Sequence, residues 1–86
     1  MTMATSTIKS GTVTKLYSGN ASAVTNSWYY VDADITTDIE QYGEPIGVVA
    51  YSQYNNVCVA CVAGTNLRML TTVQGLNVYA KVTFSK

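Results

Sequence analysis

The stretch Leu76-Asn77-Val78-Tyr79-Ala80-Lys81-Val82-Thr83-Phe84 decides the fold class. Leu76, Val78, Ala80, Val82 and Phe84 fall on one side of a period-two alternation, and Asn77, Tyr79, Lys81 and Thr83 on the other. Successive side chains of a strand point to opposite faces, so this pattern predicts a strand with one face buried and one wet. Residues 28–35 repeat it, with Tyr29, Val31, Ala33 and Ile35 opposite Trp28, Tyr30, Asp32 and Asp34. The runs 46–51 and 57–63 are shorter, apolar and rich in β-branched residues, each bounded by turn formers. Further strands are expected at 12–17, ended by Ser18-Gly19-Asn20, and at 66–72.

Between these runs, Ser52-Gln53-Tyr54-Asn55-Asn56 reads as a hairpin loop, since Asn tolerates left-handed backbone. Gly64-Thr65-Asn66 and Gln74-Gly75 supply the remaining turns. Residues 38–44 form a connection around Gly43 and Pro45 with room for one helical turn, and no segment carries a period of 3.6. The expectation is an all-β chain: a small antiparallel β-sandwich, or a jelly-roll-like barrel, of about six strands. It forms a single domain over 1–86, with 1–11 as a flexible N-terminal arm.

A chain of 86 residues buries only roughly 60–65% of the surface it would expose unfolded, so its core is small. Domains of this size draw extra stability from disulfides, metals or partner subunits. Two cysteines and no histidine leave self-association as the first expectation. Charged residues make up 12%, about half the usual share, and the net charge is zero. That balance lacks the basic footprint of a nucleic-acid binder and removes one barrier to association. No run approaches the roughly 20 apolar residues of a membrane span, so membrane insertion is not expected. Met1-Thr2-Met3-Ala4-Thr5-Ser6 lacks the charged and apolar regions of a signal peptide, so synthesis in a cytoplasm without secretion is expected.

Residues 57–63, Val-Cys-Val-Ala-Cys-Val-Ala, are apolar on both faces. Two arrangements satisfy this: a neighbouring subunit covers the second face, or the strand is enclosed in a barrel or simply tolerated outside. On the first, Val57, Val59, Cys61 and Ala63 are the candidate oligomer interface. Cys58 and Cys61 point to opposite faces of a strand, which suits two reduced, packing cysteines rather than a redox pair. Zinc would need further ligands that the chain lacks.

All five acidic residues lie between Asp32 and Glu44. Asp32-Ala33-Asp34 resembles the opening of a calcium loop, but Thr37 stands where the loop needs glycine and Gly43 where it needs glutamate. On a strand the two carboxylates share a face about 7 Å apart, as an ion site at a subunit junction or as a solvated strand edge. No cleft signal accompanies them as a glycosidase pair, and no nucleophile–histidine arrangement or phosphate loop exists. No catalysis, metal or cofactor is expected.

Seven tyrosines stand against one Phe and one Trp. Tyrosine joins a broad apolar face to a hydroxyl, which suits protein interfaces and sugar faces. Tyr51, Tyr54, Asn55 and Asn56, around the polar loop, are the candidate ligand-binding residues.

Pro45-Ile46-Gly47-Val48-Val49-Ala50-Tyr51, Val57-Cys58-Val59-Ala60 and Val78-Tyr79-Ala80-Lys81-Val82-Thr83-Phe84 together resemble the distal domains of bacteriophage tail fibres and related virion proteins. The resemblance is one of pattern and covers about half the chain. It implies a compact β-sandwich, usually a trimer, carried on a virion to bind a host cell-surface glycan or protein. The alternative within that setting is a capsid decoration or tail-assembly protein whose partners are other virion proteins.

Overall fold

Strand β7, Leu76–Phe84, lies in the middle of a three-stranded antiparallel sheet, between β1 (Val13–Ala21) and β4 (Pro45–Ser52). Its inward residues Leu76, Val78, Ala80, Val82 and Phe84 are all buried, as the alternation predicts. A four-stranded sheet orders β2 (Ala23–Thr25), β3 (Trp28–Asp34), β6 (Asn66–Thr71) and β5 (Cys58–Ala63) as β2-β3-β6-β5. The sheets pack face to face, with β1 against β3, β7 against β6 and β4 beside β5. This computed structural model describes residues 11–85, so residues 1–10 of the expected arm 1–11 lie outside the described residues.

The sandwich is therefore present and the closed barrel is not, because β1, β4, β2 and β5 are all sheet edges. Leu67, Met69, Ile35 and Ala21 join the β7 face in the core, with Tyr29, Val31, Ala33, Cys58, Ala60 and Val62 packed around it.

Several expectations change, each for a local reason. The sheets hold seven strands among the described residues, rather than about six. The extra one, β2, pairs with β3 through Asn26-Ser27, which take φ of 45° and 71° as a two-residue hairpin turn requires. Strand β1 does not end at Ser18-Gly19-Asn20, because β7 offers a partner along its whole length, from Val13↔Phe84 to Ala21↔Leu76. Ser52 to Asn56 is not a hairpin loop. It is an arch that carries the chain from β4 in one sheet to β5 in the other, with a 3-10 turn at Gln53–Asn55. Strand β5 instead turns back into β6 through a hairpin at Gly64-Thr65, where Gly64 takes φ of 64° between the paired Ala63 and Asn66. Residues 38–44 lie mostly in a two-turn helix, α1 (Thr36–Tyr42). Asp34 starts it by accepting bonds from the Thr36 backbone N–H (2.9 Å) and hydroxyl, and Ile39 and Tyr42 close one end of the core.

Gly19 sits inside β1 because no side chain fits there. A Cβ at that position would lie 2.8 Å and 3.0 Å from the two methyl carbons of Val31 on the facing sheet. Valine has few rotamers in which to escape. Gly19→Ala is expected to destabilise the fold by about 1–3 kcal/mol through overpacking. Thermal unfolding checks this, and combining it with Val31→Ala should cost less than the sum of the two single changes.

Candidate functional site

The outer face of the three-stranded sheet gathers side chains that are far apart in the chain. Register sets Ser18, Tyr79 and Tyr51 in one row across β1, β7 and β4, and Asn20 beside Asn77 in the next. The rings of Tyr51 and Tyr79 stack with centroids 5.0 Å apart and planes 18° from parallel. On its other side Tyr79 meets only Ser18, which is too short to fill the space. A groove of about 320 Å³ opens there, lined by Ser18, Gly19, Asn20, Asn77 and Tyr79.

Hydrogen bonds hold the groove's polar end. Asn20 Nδ2 donates to Asn77 Oδ1 at 3.1 Å and to the Gly75 carbonyl at 2.7 Å. The Asn77 backbone N–H donates to Gln53 Oε1 at 3.3 Å, tying the arch to the same row. These bonds use Asn20 Nδ2 and Asn77 Oδ1 and do not engage Asn20 Oδ1 or Asn77 Nδ2. Among the described residues no charged side chain lines the groove. An aromatic face with convergent, uncharged donors and acceptors is the chemistry that binds a polyhydroxylated ring.

Of the sequence candidates, Tyr51 belongs to this row and the other three lie just beyond it on the arch. Tyr54 is 80% exposed, and Asn55 and Asn56 are exposed. Tyr54 and Asn55 both take left-handed backbone, with φ of 59° and 57°. Asparagine adopts this readily, while for tyrosine it costs roughly 1–2 kcal/mol. The arch is held by the Ser52 hydroxyl donating to the Asn56 carbonyl. Sequence reasoning missed Ser18, Asn20, Asn77 and Tyr79 as a site, since only strand register brings β1 and β7 together.

Strand β5 divides as its alternation requires. Cys58, Ala60 and Val62 pack against the core, while Val59 (47% exposed), Cys61 and Ala63 face outward, with Val57 exposed just before the strand. Both cysteines are free, and burial is the main cause that raises the Cys58 thiol above its ordinary pKa. Cys61 is exposed on the outer face of the single chain. The strand is not enclosed: β5 is an edge.

The carboxylates each have a partner of their own. Arg68 forks onto Asp32 at 2.7 Å and 2.9 Å, directly across from it in the β3–β6 register, and its guanidinium lies 3.9 Å from the centre of the Tyr30 ring. The bond from Arg68 holds the Asp32 carboxyl below the usual range. Asp34 is lowered by its bonds from Thr36. Among the described residues no group of three or more His, Cys, Asp or Glu is placed to hold a metal ion. Tyr17 donates to Asp38, joining β1 to α1, and burial followed by that carboxylate raises its phenol well above the ordinary value.

A second hollow of about 430 Å³ lies at the opposite end of the strands, lined by Ile39, Glu44, Pro45, Val62, Gly64 and Thr65. It is larger and more apolar, with Glu44 and Thr65 as its polar lining and no aromatic ring, so the tyrosine–asparagine groove is the better candidate for a sugar. No helix among the described residues is long and apolar enough to cross a membrane. No protein family model, curated protein or solved structure matches this chain.

Proposed function

We propose that this chain is a non-enzymatic recognition module of a bacteriophage virion, similar to a tail-fibre head, that binds a glycan on the host cell surface. The observation that carries the reading is the stacked Tyr51–Tyr79 pair beside an uncharged groove lined by Asn20 and Asn77. The resemblance to tail-fibre distal domains supports the virion setting. Because the lining bears no charge, a neutral sugar is the expected ligand rather than an acidic one. Individual sites of this shallow kind are weak, and several copies on one particle would raise the overall attachment through avidity.

The test is attachment of labelled protein to a panel of intact bacterial strains, before and after periodate oxidation of the cell surface. Saturable attachment that periodate abolishes is the expected result. Attachment that survives periodate on every strain removes the glycan reading. A second reading, a capsid decoration or tail-assembly role, draws on the uncharged open edge of β5. Binding to empty virus particles, with none to cells, selects it instead.

A further inference from the structure

We infer that the free edge of β5 is where two copies of this chain join, pairing antiparallel about a two-fold axis. The four-stranded sheet would then run continuously through both copies. This concerns a different face from the tyrosine groove and does not depend on the glycan reading.

The four sheet edges differ in how they are protected. An edge strand presents unpaired backbone N–H and C=O groups, and stable monomers blunt such edges with charge, proline, a bulge or shortness. Strand β2 is three residues long. Strand β4 opens on Pro45, and its register with β7 shifts between Pro45 and Gly47. Strand β1 carries Lys15 and exposes Thr14, Ser18 and Asn20. Strand β5, Cys-Val-Ala-Cys-Val-Ala, has no charge, no proline and an unbroken register with β6. Among the described residues it is the one edge longer than three residues with none of these protections.

A second copy of the chain is the occupant that fits this edge. Residues opposite one another in an antiparallel pair share a face, so a two-fold must centre on a residue. Centred on Cys61, it sets Val59 opposite Ala63 on the outward face and Ala60 opposite Val62 on the inward face. Each pair joins a larger side chain to a smaller one, so the strand is its own complement. A two-fold also brings any charged residue near its like, and this edge holds none. Strand β4, the edge of the other sheet, lies on the same side beside β5, so joining two copies covers both layers. Such an interface closes at two copies, where the family resemblance implies three.

The test uses Cys58→Ser, which leaves Cys61 as the sole thiol. Light scattering at micromolar concentration should give a dimer, and mild oxidation should convert most of it to a Cys61–Cys61 disulfide. Cys61→Ser should remain dimeric. Cys61→Lys, which sets two ammonium groups face to face, should weaken the dimer at least a hundredfold. Hydrogen exchange on the unmutated chain gives an independent reading: amides of 58–63 should become less protected on dilution. A monomer or trimer in light scattering, or exchange that dilution leaves unchanged across β5, overturns the inference.

Discussion

Phe84→Ala is expected to cost about 3–5 kcal/mol and to lower the melting temperature sharply. Phe84 is fully buried, and its ring lies 6.2 Å from that of Tyr42 in a tilted arrangement. Through register it touches both neighbours of β7, opposite Val13 on one side and Pro45 on the other. The Ser85 N–H donates to the Glu44 carbonyl at 2.8 Å directly after it. A domain of this length has a total stability of roughly 4–13 kcal/mol, so losing this one ring removes a large part of it. Chemical denaturation followed by near-ultraviolet dichroism measures the effect. Phe84→Leu should retain the fold at a smaller cost, and a Phe84→Ala chain as stable as the parent would show that α1 and Tyr42 do not close the core.

Tyr51→Ala should weaken glycan attachment about thirtyfold while moving the melting temperature little. The side chain is 43% exposed on the outer face, so truncation opens no cavity in the core. What it removes is the stacking partner that holds Tyr79 upright beside the groove. Aromatic anchors at binding sites commonly contribute about 2 kcal/mol or more on truncation, which converts to that loss. Tyr51→Phe keeps the ring and should retain most of the binding. Calorimetric titration with the oligosaccharide released from a bound strain measures all three proteins. If Tyr51→Ala binds as tightly as the parent while Tyr54→Ala does not, the contact surface is the arch and the groove is incidental.

The elements with long, clean alternation were legible from the chain alone. Strands β7 and β3 fall where their patterns predict, and so does the opposed placement of Cys58 and Cys61. What escaped depends on partners that lie far off in sequence. Three residues, Ala23–Thr25, are too few to show a period and become a strand only because β3 folds back on them. Ser18-Gly19-Asn20 has the composition of a turn but is held extended by Asn77, Val78 and Tyr79. The arch looks like a hairpin loop because polar residues between two apolar runs do not reveal whether the runs join one sheet or two. For the site, Tyr51 could be read as an exposed aromatic, but Asn20 and Asn77 are distant in the chain and only register sets them side by side.

The position of β7 also constrains how the protein comes into being on the ribosome. The central strand of the three-stranded sheet follows both of its neighbours in the chain, so neither β1 nor β4 can pair along its length in that sheet until Phe84 has been made. At about 5–20 residues per second, β1 waits roughly 4–14 s with its inward face unsheltered. The four-stranded sheet waits less, since β2 and β3 pair with each other at once and β6 precedes β7 in the chain. Strand β7 therefore inserts between two strands that are already made, and a chain interrupted before Leu76 leaves β1 and β4 without their shared partner.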